Sequence, residues 1–249
     1  MSSLIGRLAL VTGGGSGIGQ ATCRILAREG ASIIVADRAS KNVQKTLQSI
    51  QSDTTQNHLG LEMDVAKATS VEDALKNTLE KYAKPPSIIV NCAGITRDNF
   101  LLKLSEEDFD EVINVNLKGT FLVTKIFTNS IVQNGINNAS IINIGSIVGD
   151  YGNLGQTNYS ASKAGVELLT RTASKELGNL GIRVNVILPG MIRTPMIDAV
   201  PPKVQEKFKE LIPMKRFGNA EEIAEVIAFL ASDKSSYMNG ATIKVTGGF

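Results

Sequence analysis

The chain has 249 residues, 43% of them hydrophobic and 20% charged, and a formal net charge of +2. That balance describes one globular domain with a sizeable core, and it offers no basic surface for nucleic acid. Two cysteines and one histidine are too few for a disulfide framework, a metal centre or a Ser-His-Asp hydrolase, and no apolar run is long enough to span a bilayer. Met1 to Arg7 lead almost directly into a strand and leave no room for a cleaved secretory signal or transit peptide. Import by an uncleaved or internal signal stays open.

Leu8-Ala9-Leu10-Val11-Thr12 reads as a short buried strand. It runs into Gly13-Gly14-Gly15-Ser16-Gly17-Ile18-Gly19 and then a helical stretch, Gln20 to Glu29, closed by Gly30. Glycines in such a turn let a pyrophosphate approach the backbone at a helix N-terminus. Gly13, Gly15, Ser16, Gly17, Ile18 and Gly19 are therefore the expected dinucleotide cradle. The spacing is G-x-x-x-G-x-G rather than G-x-G-x-x-G, and a plain strand-to-helix connection would look the same.

A second strand, Ser32 to Ala36, ends at Asp37. A carboxylate there would hold the ribose hydroxyls of NAD and repel the 2′-phosphate of NADP. Arg38, next to it, could instead pair with that phosphate, and Asp37 could simply cap the following helix. Ser40 to Gln51 reads as a helix with a polar outer side, and Asp53 to Asn57 as a loop. His58, in a polar stretch, reads as a solvent-exposed loop residue. The third strand, Leu59 to Met63, ends at Asp64-Val65, whose carboxylate could reach an adenine amino group. A helix from about Ser70 to Lys84 stops at Pro85-Pro86, and a fourth strand, Ser87 to Val90, runs into Asn91-Cys92-Ala93-Gly94. Cys92, like Cys23 in the first helix, reads as a buried thiol of a reducing compartment.

Strands apolar on both faces, alternating with helices, predict an α/β fold. It is a Rossmann-type doubly wound parallel sheet with helices on both faces, as one domain over residues 1–249. Ligands bind such sheets at the carboxyl ends of the strands, where Gly13, Asp37, Asp64 and Asn91 fall. A long helical region, Glu106 to Gln133, carries Asn116 amid apolar residues, either as a satisfied core amide or as the holder of a water beside an active site. Ile141 to Ser146 reads as a buried strand ending in a hydroxyl. Tyr159 and Lys163 then lie one helical turn apart. An ordinary phenol has a pKa of about 10, and a neighbouring ammonium favours its ionised form, making it a usable proton donor and acceptor. A sixth strand, Ile182 to Leu188, ends at Pro189-Gly190. Met191 to Pro213, with Pro195, Pro201 and Pro202 inside it, reads as a mobile flap. An amphipathic helix, Ala220 to Ala231, and the strand Ala241 to Val245 complete the order.

Thr12-Gly13 with Gly17 and Gly19, Asp64, Asn91-Cys92-Ala93-Gly94, Asn116, Ser146, Tyr159, Lys163 and Pro189-Gly190 follow one another over essentially the whole chain. In this order the chain resembles the short-chain dehydrogenase/reductases, in which the serine usually precedes the tyrosine by thirteen residues, as Ser146 does here. Gly94 to Asp98 and Gly155 to Tyr159 look like the 3-oxoacyl-[acyl-carrier-protein] reductases. Asn116 to Thr124 and Ser146 to Gly149 resemble the NAD-dependent dehydrogenases of 17-beta-hydroxysteroids and (3R)-3-hydroxyacyl-CoA associated with mitochondrial fatty-acid synthesis.

The resemblance implies an NAD-dependent oxidoreductase that interconverts a secondary alcohol and a ketone. NADP is less favoured, and NADPH-dependent carrier-protein reduction is the alternative. It implies that Tyr159 passes the proton, that Lys163 lowers its pKa and holds the nicotinamide ribose, and that Ser146 binds the substrate carbonyl. Asn116 would hold a water linking Lys163 to solvent. Cofactor contacts would extend to Arg38, Val65, Asn91, Ala93, Gly94, Pro189, Gly190, Ile192 and Thr194. It further implies a homotetramer, or a heterotetramer with a second short-chain reductase, in the mitochondrial matrix or the cytoplasm. Ile131 to Ser140 contains no Lys or Arg, so an acidic carrier would need a basic surface from such a partner. Two positions depart from the family: Cys92, where Asn or Ala is common, and Ser16, where NADP-dependent relatives carry Arg or Lys. A nucleotide-binding scaffold with little catalysis is the alternative of another class. The intact set of Asn116, Ser146, Tyr159 and Lys163 speaks against it.

Overall fold

A computed structural model describes residues 3–51, 56–198 and 200–249. The loop expected over Asp53 to Asn57 lies largely outside them. Six strands come first: β1 (Leu8–Thr12), β2 (Ser32–Asp37), β3 (Leu59–Glu62), β4 (Ile88–Asn91), β5 (Ala139–Ile144) and β6 (Ile182–Pro189). A short separate pair joins β7 (Ile192–Arg193) to β8 (Gly218–Asn219), and β9 (Thr242–Val245) closes the main sheet. That sheet is parallel throughout, in the order β3-β2-β1-β4-β5-β6-β9.

Alternate residues of each strand face opposite sides, so one strand feeds two cores. Val11, Val35, Val90, Ile142 and Ile187 face one layer, closed by α1 (Gly17–Arg28), α2 (Ser40–Gln51) and α10 (Ala220–Ala231). Leu10, Ile34, Ile89, Ile141 and Val184 face the other, against α3 (Ala68–Tyr82) and α5 (Gly119–Gln133). Burying each such side chain contributes about 1.5–3 kcal/mol, and the two layers together clamp the sheet between helices. The winding reverses between β1 and β4, which opens a crevice at their carboxyl ends.

The expected helix from Glu106 to Gln133 is not continuous. Between α4 (Glu106–Ile113) and α5, residues Asn114–Lys118 form a wider π turn, with Gly119 N–H donating to the Asn114 carbonyl. Such a turn admits one extra residue and re-aims the side chains around it. Here it turns Asn116 fully inward. Nothing in the local sequence announces this break, because Ile113 to Lys118 contains neither Gly nor Pro.

His58 corrects a second expectation. It is buried, not exposed: its Nδ1 accepts from the Ile33 N–H at 3.0 Å, and its carbonyl accepts from Lys81 Nζ at 2.6 Å. Ile33 is the second residue of β2 and precedes Ile34, the first to pair with β3 at Leu59, so the imidazole supplies the acceptor that the sheet lacks there. Burial first, and the Lys81 charge second, hold its pKa below the usual imidazole value.

The segment expected as a flap contains β7, α8 (Pro195–Asp198) and α9 (Pro202–Leu211), the last with proline in its first turn. Met214 N–H donates to the Gly247 carbonyl at 3.2 Å, and Gly190 N–H to Val245 at 2.9 Å, so both ends of the segment are tied beside β9. Two further helices follow β5, the single turn α6 (Val148–Tyr151) and the long α7 (Thr157–Leu177). Among the described residues, no helix is long and apolar enough to cross a membrane.

Candidate active site

The glycine-rich turn is held by contacts that leave no room for side chains. Gly13 has φ +63, and a Cβ there would lie 2.9 Å from the Ala93 backbone. A Cβ on Gly19 would lie 2.1 Å from the Gly13 carbonyl oxygen, so the first turn of α1 rests directly on the turn that leaves β1. Thr12 Oγ1 accepts from Ala93 N–H at 3.1 Å, fastening the end of β1 to the end of β4. The Asp37 carboxylate is fixed by two backbone donors, Gly15 N–H at 3.0 Å and Ala39 N–H at 2.9 Å. It therefore shapes the turn before α2 and still borders the crevice.

The cavity has a volume of about 630 Å³. Its lining includes Gly13, Ser16, Gly17, Ile18, Gly19, Asp37, Arg38, Asp64, Val65, Ala93, Gly94, Pro189, Gly190, Ile192 and Thr194. Two expected residues are not on that list. Gly15 borders a second, more open pocket that adjoins the first at Ser16, Gly17 and Thr194. Asn91 points away, into the core: its Nδ2 donates to Asn143 Oδ1 at 2.8 Å and Thr124 Oγ1 at 3.2 Å. Strand parity explains this, because Asn91 shares a face with Ile89 and so faces α5. The next residue, Cys92, takes the cavity side. Its thiol is pushed up to about 12 by burial, with Lys163 and the Thr22 hydroxyl acting the other way.

Tyr159 and Lys163 face the same cavity from α7. Lys163 is buried, and its Nζ donates to the Ile144 carbonyl at the tip of β5 at 2.8 Å. The ammonium lies 5.6 Å from the centroid of the Tyr159 ring. Ser146 stands two residues beyond β5, with its Oγ accepting from Val148 N–H at 3.2 Å. Asn116 does not reach the cavity wall. Its Oδ1 accepts from Ile95 N–H at 2.9 Å, and its Nδ2 donates to the Ile95 carbonyl and to Ser162 Oγ, each at 3.0 Å. A Cβ on Gly94 would lie 3.4 Å from both Asn116 Oδ1 and Lys163 Nζ, so these two polar atoms face one another across a glycine.

The proton affinities differ from the sequence expectation. Tyr159 is not lowered: burial pushes it up to about 12, reinforced by the charge of Asp98 and opposed by the Ser146 hydroxyl. Burial brings Lys163 down to about 8, with Cys92 acting the other way. With the ammonium beside the ring and engaged to a carbonyl, desolvation outweighs its pull on the phenol.

Sequence reasoning missed a polar strip at the cavity mouth. Gln156 Nε2 donates to Asp98 Oδ2 at 3.0 Å, and Asn153 Nδ2 donates to Gln156 Oε1 at 2.9 Å. Asn99 N–H donates to the Gly155 carbonyl at 2.9 Å, and Asn158 Nδ2 to the Arg97 carbonyl at 2.9 Å. Asp98 is exposed at the mouth, and its carboxyl is pushed above the usual range by burial, against the Gln156 amide. The one available signal was position: Gln156 stands three residues before Tyr159, at the cap of α7. Opposite the strip, Met196, Ile197, Val200, Val204 and Phe208 make the flap-side wall apolar.

These residues fit a nicotinamide dinucleotide. The side-chain-free cradle suits a pyrophosphate, Asp37 suits a ribose, and Lys163 and Tyr159 stand where the reacting end would lie.

Comparison with known proteins agrees. Residues 13–249 match a family model described as enoyl-(acyl carrier protein) reductase. The chain is 50% identical over 247 residues to a (3R)-3-hydroxyacyl-CoA dehydrogenase of Homo sapiens, covering 97% of this chain and 94% of the relative. It is 43% identical over 252 residues to a 3-oxoacyl-[acyl-carrier-protein] reductase of Thermotoga maritima, covering 98% of each. A crystal structure of a short-chain type dehydrogenase/reductase from Mycobacterium marinum superposes with a TM-score of 0.95 at 31% identity, over 99% of this chain and 96% of that one. With its parallel sheet, glycine cradle and Tyr-Lys pair, the chain belongs to the short-chain dehydrogenase/reductase family and is an oxidoreductase of that NAD(P)-binding type.

Proposed function

We propose that the protein is an NAD-dependent oxidoreductase interconverting (3R)-3-hydroxyacyl-CoA and 3-oxoacyl-CoA, with a role in mitochondrial fatty-acid synthesis. The observation that carries this reading is Tyr159, with Lys163 and Ser146, where the dinucleotide crevice meets an apolar cavity wall. When bound, the nicotinamide supplies or accepts the hydride at the carbonyl carbon. Tyr159 gives its proton to the carbonyl oxygen in reduction and takes it back in oxidation, while the Ser146 hydroxyl donates to the same oxygen. Lys163 orients the ribose from its seat on the Ile144 carbonyl. Asn116 acts behind it as a positioning residue: both its N–H groups are engaged, and a spare lone pair of Oδ1 can hold a water facing Lys163. The apolar flap residues suit an acyl chain, and the human relative at 50% identity is named for this substrate class.

The test is a set of steady-state rates for a 3-oxoacyl-CoA, its carrier-protein analogue and a 17-ketosteroid, each with NADH and NADPH. The CoA thioester with NADH should give the highest kcat/KM. Carrier-linked turnover by the purified protein alone should be poor, because residues 131–140 offer an acidic carrier no Lys or Arg. Efficient, salt-sensitive carrier turnover would overturn that preference.

Cofactor choice rests on Asp37. A 2′-phosphate would meet its fixed carboxylate as a like charge, so Asp37→Ala should narrow the preference for NADH by about tenfold or more. Wild-type binding of NADPH as tight as NADH would mean that Arg38 has captured the phosphate instead.

The same reading includes a tetramer built through α5 and α7. Val166 belongs to the core, whereas Phe121 and Leu168 are 45% and 57% exposed, which leaves an apolar face on each helix for another subunit. Sedimentation of the wild type should show a tetramer, and Phe121→Asp with Leu168→Asp should break it. A wild type that is monomeric at micromolar concentration would end this part of the reading.

A further inference from the structure

The two ends of the cavity carry charge very differently. Asp37, Arg38 and Asp64 line the dinucleotide end. At the substrate end the charged residues among those described are Lys163 and Asp98. Lys163 is buried at the foot of the cavity, with its Nζ on the Ile144 carbonyl and, in the reading above, committed to the cofactor ribose. Arg97, beside Asp98 in sequence, is held by Glu111 at 2.8 Å and Asp108 at 3.9 Å and does not line the cavity. Among the described lining residues of the substrate end, the exposed charge at the mouth is therefore the Asp98 carboxylate, held in place by the Gln156 amide, which Asn153 steadies in turn. A carboxylate on an entering substrate would first meet a fixed anion at the mouth.

We propose that Asp98 is a specificity-determining residue that rejects the free 3-hydroxy acid, so that the acyl group is accepted only when its acid is masked as a thioester or ester. The inference rests on the reading of Tyr159 as the proton donor to the 3-oxygen. In that reading the masked carbon lies two bonds from the reacting one, in the cavity that Asp98 and Tyr159 both line. Rejection by an unmatched charge is a common source of selectivity, and at an exposed mouth it is weakened by salt.

The experiment compares NAD-dependent oxidation of (R)-3-hydroxybutanoate and its neutral ethyl ester, by the wild type and by Asp98→Asn, at low and high ionic strength. Asparagine keeps the shape and an acceptor for Gln156, so the variant should fold as the wild type does. The wild type should favour the ester. Asp98→Asn should narrow that preference about tenfold by raising kcat/KM for the free acid, with the ester changed by less than about threefold. High salt should shrink the preference of the wild type and leave that of the variant nearly unmoved. An unchanged ester-to-acid ratio in Asp98→Asn overturns the proposal. So does a parallel loss of both substrates, which would make Asp98 a purely structural anchor for Gln156. A wild type that turns over the ester but not the CoA thioester sinks the substrate proposed above and leaves the role of Asp98 standing.

Discussion

Tyr159→Phe should lower kcat at least a hundredfold while dinucleotide binding stays within about threefold of wild type. The substitution removes one oxygen and keeps the ring, which packs beside Ile147, Val148 and Val166. Lys163 keeps its seat on the Ile144 carbonyl, and Ser146 keeps its bond to Val148 N–H. Only the proton path is lost, and a positioned acid is typically worth about 10²–10⁴ in rate. kcat and kcat/KM should fall together, as expected for an interaction made only in the transition state. A variant retaining more than about a tenth of the activity would remove Tyr159 from the role of acid and base. The wild type carries a related signature. With its phenol at about 12, Tyr159 is protonated at neutrality, ready for reduction but not for oxidation. Alcohol oxidation, which needs the phenolate, should therefore climb through the alkaline range, and a flat profile would contradict the assignment.

Gly19→Ala should weaken dinucleotide binding more than tenfold and lower the melting temperature by several degrees. The added Cβ would fall 2.1 Å from the Gly13 oxygen, 2.7 Å from its carbonyl carbon and 3.1 Å from Gly14 N. All three are backbone atoms, so no rotamer change relieves the clash, and α1 must lift away from the turn. Overpacking of this kind costs about 1–3 kcal/mol, and each kcal/mol is about 2–4 °C in a domain of this size. The displaced turn is the one that presents N–H groups to the pyrophosphate, so affinity suffers beyond stability. Titration of the variant by nicotinamide fluorescence, with a calorimetric melt, separates the two effects. An unchanged dissociation constant would mean that the cradle is not where the phosphates bind.

Much of this architecture is legible in the residues themselves. β-branched runs such as Ile141 to Ile144 gave the buried strands, the glycine turn gave the crevice, and the four-residue spacing of Tyr159 and Lys163 put both on one face. What stayed hidden depends on tertiary context. His58 sits among polar neighbours, yet it is buried because an N–H at the start of β2 needs an acceptor. The break at Asn116 follows from bonds to Ile95 and Ser162, whose sequence distance no local pattern can span. The Asp98–Gln156 strip joins two loops, and the raised Tyr159 pKa reflects a burial that spacing does not reveal. Asn91 is different. Its inward turn followed from strand parity, which the sequence contained.

The order of the strands also spreads the nucleotide site over distant parts of the chain. Leu8 pairs with Ser32, a partner close along the chain, whereas Ala9 pairs across the crevice with Ile88. Closing so distant a parallel pair is slow, because loop entropy is lost before any contact rewards it. The walls of the cradle come from the turn after β1, from Ala93 beyond β4 and from Thr194 beyond β6, and only the whole sheet brings them together. No half-built intermediate holds a complete nucleotide site. The dinucleotide can therefore bind only the finished domain, and at about a hundredfold above its dissociation constant it stabilises that whole by about 2.7 kcal/mol. It acts as a late clamp on a fold already made, not as a template for making it.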